Sequence, residues 1–216
     1  MNPQAVIFDC DGVLVDSERA SAAAWSAVLE RHGHRLDGDE FTGFIGRTDR
    51  SLAESFAPAV GMDSRDLLAE AGVEMRRVVS GGLDAFPDAL ALLHSLRVPV
   101  AVASNSDRWR LRAVLEAAGL GGRFAVSVAG DEVARPKPAP DVYLEAARLV
   151  GLDPSVCAVI EDSPTGISAA LTAGMEVIAV DRGHFDRLTL AAAHLVVGSL
   201  TARPVLTRLG LGTPGP

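Results

Sequence analysis

Short, near-continuous apolar runs separated by longer amphipathic stretches set the narrowest limit on how this chain can fold. Ala5–Phe8, Val98–Ala103, Phe124–Ala129, Val156–Ile160 and Val177–Val180 are such runs, and Leu195–Val197 is a weaker one. A strand exposed on one face alternates polar and apolar residues, whereas a run without alternation fits a strand covered on both faces. The stretches between carry helix signals. Leu111, Val114, Leu115 and Ala118 form an apolar stripe that ends at Gly119. Ser163 reads as an N-cap, Pro164 as the first helical residue and Gly174 as the stop. Strands alternating with helices predict a mostly parallel, doubly wound sheet with right-handed crossovers.

The alternation fails once. From about Ser17 to Ser80 no strand is discernible, and helical patterns cover Glu18–His32, Asp39–Phe44, Thr48–Val60 and Ser64–Val79, with Gly72 interrupting the last. A crossover between parallel strands needs only about a dozen residues, so this stretch reads as an inserted domain. The expected fold class is α/β. A doubly wound (Rossmann-like) parallel-sheet core spans residues 1–15 and 83–216, and a small all-helical domain spans 16–82. Val13–Asp16 leads out and Ser80-Gly81-Gly82 leads back, where glycines suit a hinge. The Gly/Pro-rich tail Gly210–Pro216 is expected to fray.

Charge and composition remove several functions. A net charge of −8 argues against non-specific binding to nucleic acid or an anionic membrane, which demand a basic face. No apolar stretch reaches the roughly 18 residues of a membrane span. No basic region precedes Ala5, so a signal peptide is not expected. Cys10 and Cys157 make no disulfide framework, which points to a reducing cytoplasm, and the chain is expected to be a monomer. Of the 20 basic residues, 19 are arginine and one, Lys137, is lysine.

In an open parallel sheet, ligands bind beyond the carboxyl ends of the strands. There the chain places Asp9-Cys10-Asp11-Gly12 after the first strand and Ser104-Asn105-Ser106 after the second. Arg135-Pro136-Lys137-Pro138 follows the third, and Glu161-Asp162-Ser163 the fourth. Asp9 and Asp11 are two apart, so on an extended strand end both carboxylates would face one side. Carboxylates that close require a cation or a shared proton. With Asp162 they form an all-oxygen set that suits Mg²⁺. A carboxylate screened in this way can attack phosphorus, and its neighbour can serve as general acid and then base. Lys137 would neutralise phosphoryl oxygens, with Ser104 and the N–H of Asn105 donating to the same atoms.

Asp9-Cys10-Asp11-Gly12-Val13-Leu14-Val15-Asp16-Ser17-Glu18 resembles the first motif of the haloacid-dehalogenase-like (HAD) hydrolases. Ser104, Lys137 within Arg135–Asp141, and Glu161-Asp162-Ser163-Pro164-Thr165-Gly166 resemble the second, third and fourth. The helical insert is similar to the C1-type cap of beta-phosphoglucomutase-like and sugar-phosphate phosphatase members. The resemblance implies Asp9 as nucleophile and metal ligand. Asp11 would be the acid/base, with its carbonyl on Mg²⁺, and Asp162 a further ligand. Glu161 would hold metal-bound water or a ligand. The family's dehalogenases lack an acid at the position of Asp11, which argues against that activity here.

Within the cap, Gly46-Arg47 lies on a turn between Phe41 and Thr48, and Arg47 either clamps the substrate or is a solvated surface arginine. Phe41, Phe44, Trp25 and Trp109 read as packing residues, the histidines have no metal spacing, and Cys10 between two acids should stay protonated. The expected reaction is hydrolysis of a small phosphorylated sugar or sugar acid. The alternative is a beta-phosphoglucomutase-like phosphomutase. Against it, the mutase pattern has His where this chain has Ser21, and Lys-Asn where this chain has Asp107-Arg108. A phospho-acceptor regulatory domain also combines Asp, a hydroxyl and Lys, but without a cap or an acid two residues after the acceptor.

Overall fold

The computed structural model describes residues 2–36, 40 and 48–211. The strands are β1 (Ala5–Phe8), β2 (Val100–Ala103), β3 (Val126–Val128), β4 (Cys157–Glu161), β5 (Glu176–Val180) and β6 (Leu195–Val197). They form one sheet in the order β3-β2-β1-β4-β5-β6, and every pairing is parallel. The apolar runs have the cause their pattern implied. Val6, Phe8, Val102, Ala158, Ile160, Ile178 and Val180 pack into one cluster. Their alternates Ala5, Ile7, Ala101, Ala103, Cys157, Val159, Val177 and Ala179 pack into another. Both faces of the sheet are therefore covered.

Four strands differ at their ends from the sequence reading, β3 by being shorter at both ends and β5 by starting one residue earlier. β2 begins at Val100 because Pro99 has no N–H to donate, although its carbonyl accepts from Val6 N (3.1 Å). β4 runs one residue further, so Glu161 ends the strand fully buried instead of opening a loop.

Helices α1 (Glu18–Arg31), α2 (Asp49–Val60) and α3 (Ser64–Val79) precede β2 and share a third cluster built on Trp25, Leu29, Leu52, Phe56 and Leu67. Thr48 and Asp63 cap α2 and α3 by accepting from Ser51 N and Arg65 N. Gly72 does not break α3. It faces the Trp109 ring, which a Cβ there would meet in ordinary contact at 3.6 Å. Of the expected helix at Asp39–Phe44 only Glu40, which is helical, lies among the described residues; residues 212–216 of the tail lie outside them. The outgoing and returning connections pair side by side: Asp16 N donates to Asp84 O and Phe86 N to Leu14 O, both at 3.0 Å.

Helix α4 (Pro87–Ser95), not singled out from sequence, opens with Pro87 and Asp88. It flanks the sheet beside α5 (Arg108–Ala117) and α8 (Arg203–Arg208); α6 (Asp141–Val150) and α7 (Pro164–Thr172) cover the opposite face. No helix among the described residues is long and apolar enough to cross a membrane.

Asp88 fixes the loop after β1 indirectly. It takes two hydrogen bonds from Arg182 (3.0 and 2.9 Å) and one from Leu200 N (2.9 Å). Arg182 in turn donates to the carbonyls of Gly12 (3.1 Å) and Val13 (3.3 Å) and lies over the Phe86 ring. Burial works against the Asp88 carboxylate, but Arg182 and the Leu200 N–H outweigh it and lower its pKa. A folded-state pKa below the unfolded one adds stability above the unfolded value, and that gain disappears as pH falls through the folded one. Asp88→Asn is expected to lower stability by about 2 kcal/mol at pH 7. The difference should shrink as pH falls below about 4, the unfolded carboxylate's value, and on through the lower folded one; thermal melts at pH 7 and pH 3 check both statements.

Candidate active site

The site lies at the carboxyl ends of β1, β2 and β4. Asp9 leaves β1 with its N–H donating to Ile160 O of β4 (2.9 Å), so the strand pairing itself fixes its backbone. The chain then turns sharply: Leu14 N and Val15 N both donate to Cys10 O, and Gly12 takes φ +78°. A Cβ on Gly12 would stand 2.0 Å from Asp162 Oδ2, so the turn requires glycine twice over.

Lys137 enters from the loop between β3 and α6 and is wholly enclosed. Its ammonium donates to Asp9 Oδ1 (2.5 Å), Glu161 Oε1 (2.8 Å) and Ala103 O (3.0 Å), and sits 4.6 Å from the centre of the Tyr143 ring. Burial disfavours this cation, and Asp9 and Glu161 together outweigh it and raise its pKa. Asn105 clamps the Lys137 backbone from both sides: its Oδ1 accepts from Lys137 N (2.7 Å) and its Nδ2 donates to Lys137 O (3.2 Å).

Glu161 accepts on both oxygens. Oε1 takes Lys137 and the Tyr143 hydroxyl (2.8 Å), and Oε2 takes Asp162 N, Ser163 N and Ser163 Oγ. Gly166 makes this possible, since a Cβ there would fall 1.5 Å from Glu161 Oε1.

The Asp11 carboxylate occupies a different environment. Ser17 Oγ donates to Oδ1, and Ser104 Oγ (3.2 Å) and Ser106 Oγ (3.0 Å) donate to Oδ2. Arg110 Nη2 stands 3.8 Å from Oδ1. Burial would raise the Asp11 pKa, but Arg110 and the three hydroxyls reverse the direction and lower it. For Asp9 and Asp162 burial prevails: both lie well above the usual carboxylate range, Asp9 despite Lys137, and each is pushed further by the neighbouring acids. Glu18, at the start of α1, is pushed up to about 8 by burial, then by Asp11 and Asp162.

These residues fit a hard divalent cation. Asp9, Glu161 and Asp162 each offer an oxygen within 4.8 Å of the others. Asp162 Oδ2 is buried with no hydrogen-bond partner among the described residues, and His184 Nδ1, 3.9 Å away, is in the same state. Glu161 already accepts five hydrogen bonds, which leaves Asp9 and Asp162 as the carboxylates with capacity to spare.

A family model described as a haloacid dehalogenase-like hydrolase matches residues 3–174. The chain belongs to this family. Hexitol phosphatase A of Escherichia coli (strain K12) is 37% identical over 206 residues, covering 93% of each chain. Validoxylamine A 7'-phosphate phosphatase of Streptomyces hygroscopicus subsp. limoneus is 31% identical, over 92% of this chain and 94% of its own length. A solved beta-phosphoglucomutase of Clostridium difficile shares the fold, with TM-score 0.81 at 22% identity over 92% of each chain.

In this HAD-like hydrolase the structure brings Asp9, Asp11, Ser104, Asn105, Lys137, Glu161 and Asp162 to one place, while Arg47 and Gly46 lie outside the described residues. One geometric expectation does not hold. Asp11 does not point with Asp9, because β1 ends at Phe8 and the turn through Gly12 breaks the two-residue alternation. Its carboxylate faces the serines and Arg110 instead. Sequence reasoning gave no role to Ser17, Ser106, Arg110, Tyr143 or Arg182. Tyr143 is the chain's one tyrosine, a signal of the same kind as the single lysine; Arg110 carried no signal among 19 arginines. Cys10 is buried, and burial followed by Asp11 and Asp9 holds its thiol protonated, as expected.

The close approach at Gly166 gives a direct test of this packing. Gly166→Ala is expected to destabilise the HAD-like hydrolase by about 1–3 kcal/mol. Gly198→Ala, with nothing within 4 Å of the added atom, should have little effect. Urea unfolding curves of the two variants measure the contrast.

Proposed function

We propose that this HAD-like hydrolase is a Mg²⁺-dependent phosphatase that transfers the phosphoryl group of a small phosphorylated sugar or sugar acid first to Asp9 and then to water. Residues 1–15 and 83–216 form its core and residues 16–82 its cap, and the buried, unpaired cysteines suit a reducing cytoplasm. The observation that carries this reading is the division of labour between two acids in one turn. Asp9 Oδ1 lies against the Lys137 ammonium beside the vacant oxygen of Asp162, and Asp11 is held separately by three hydroxyls and Arg110.

Asp9 and Asp162, with the carbonyl of Asp11, would hold Mg²⁺. When bound, the ion screens the carboxylates and the incoming phosphate from each other. An Asp9 oxygen forms a bond to phosphorus as the ester P–O bond breaks, and Lys137 neutralises charge on the phosphoryl oxygens. The departing alkoxide takes the proton of Asp11. Water then attacks phosphorus, gives its proton back to Asp11, and Asp9 leaves as carboxylate. The lowered pKa of Asp11 suits the base half; a bound phosphate, as a nearby anion, raises that pKa for the acid half.

The phosphomutase alternative needs a cation for a second phosphate after the second motif. The Arg108 guanidinium, which stands there, is committed to Glu132 and to Ser127.

A screen of phosphorylated metabolites with Mg²⁺ is expected to release phosphate from several sugar esters. Asp9→Asn and excess EDTA should each remove nearly all of it. Lys137→Arg should lower kcat about a hundredfold, since a guanidinium cannot occupy a pocket shaped for an ammonium. An Asp9→Asn enzyme that retains turnover would falsify the nucleophile assignment. Isomerisation of glucose 1-phosphate outpacing hydrolysis, when supported by a glucose bisphosphate, would install the mutase instead.

A further inference from the structure

His184 stands beside the candidate metal site and has no part in the chemistry described so far. It follows β5, and the backbone on either side of it is held. Arg182 bonds to Asp88 and to the carbonyls of Gly12 and Val13. Gly183 turns with φ +80°, its N–H donating to Asp181 Oδ1 at 2.9 Å. Phe185 packs against the apolar cluster that contains Ile7 and Val159. Thus placed, His184 brings a buried Nδ1 to 3.9 Å from Asp162 Oδ2, and neither atom has a hydrogen-bond partner among the described residues.

Two buried polar atoms in that state call for a common partner. They do not serve each other, since a hydrogen bond would need about 3.2 Å or less. Two ligand atoms on one cation stand at most two coordination bonds apart, about 4.2 Å for bonds of about 2.1 Å. A single ion can therefore touch both. The neutral ring, with its proton on Nε2, offers a lone pair at Nδ1 for that purpose.

The nitrogen changes what the site selects. Asp9, Asp162 and the Asp11 carbonyl are hard oxygen donors and suit Mg²⁺. Imidazole suits the later first-row ions, and affinity for a site of mixed nitrogen and oxygen rises from Mn²⁺ through Co²⁺ to Ni²⁺.

Resting on the phosphatase reading for Asp9 and Asp162 as metal ligands, we propose that His184 Nδ1 is a further ligand to the same ion. It adds a nitrogen to an all-oxygen set and shifts the preference of this hydrolase from Mg²⁺ toward ions of the Co²⁺ and Ni²⁺ kind.

The test measures calorimetric binding of Co²⁺ and, separately, of Mg²⁺ to the full-length, EDTA-treated wild type, His184→Ala and His184→Asn, with the visible spectrum of each Co²⁺ complex. Co²⁺ affinity should fall at least about tenfold in both variants, while Mg²⁺ affinity changes less than about threefold. The Co²⁺ absorption bands should shift in both. Asparagine keeps a hydrogen-bond donor near the place of Nδ1 but no ring nitrogen to ligate. Co²⁺ binding restored in His184→Asn would make His184 only a support for Asp162 or for a bound water, and would overturn the inference. Equal losses for the two ions, or none for either, would overturn it as well. His184→Asn and the spectra decide alone should His184→Ala fail to fold. In each of these cases wild type still binds both ions and the phosphatase reading stands; a wild type that binds neither would sink that reading too.

Discussion

A single ammonium buried between two carboxylates organises this molecule. Lys137 is closed off from solvent, and a charge so placed is tolerable only when fully paired and hydrogen-bonded. Asp9 and Glu161 supply the pairing, Ala103 O the remaining acceptor. Glu161 in turn must be held, and Tyr143, Ser163 and two backbone N–H groups hold it. Tyr143 belongs to the apolar cluster beneath one face of the sheet. The contacts that stabilise the core therefore set the position of the proposed nucleophile, and loosening one would loosen the other.

The same fold gives two nearby aspartates opposite electrostatic characters. Asp9 is dominated by burial among other acids, Asp11 by a guanidinium and three hydroxyls. Separation of this kind is how one site assigns different tasks to chemically identical side chains. It depends on a backbone detail: only a glycine at position 12 lets the chain reverse tightly enough to aim Asp11 away from Asp9 without striking Asp162. Arg182 holds that reversal from below through the Gly12 and Val13 carbonyls.

Much of this was legible in the amino-acid order. The strands were visible because both faces of the sheet are covered, which writes burial into every residue of a run. Lys137 stood out as the one lysine. Boundaries slipped where a local rule was overruled: Pro99 shortened β2, and Glu161, a charge that usually ends a strand, was absorbed into β4 by five hydrogen bonds. Gly72 looked like a helix breaker, yet α3 runs through it. Arg110 was illegible for a deeper reason. Its meaning comes from Asp49, 61 positions away on another helix, and no local pattern marks it as the one buried arginine among the described residues.

Charge balance links these observations to the need for a cation. Asp9, Asp11, Glu161 and Asp162 bring four carboxylates together, against which stand Lys137 and Arg110. Arg110 also answers to Asp49, so even that count overstates the positive side. A phosphate ester carries further negative charge into the same volume, where low polarity strengthens every repulsion. Protonating Asp9 would relieve the crowding but would abolish it as a nucleophile. A divalent ion on Asp9 and Asp162 would relieve it while keeping Asp9 ionised, and the Asp162 oxygen that has no partner among the described residues is where such an ion would find a ligand. The net charge of the whole chain is then of little consequence to an anionic substrate, because the local field is set by whatever fills that position.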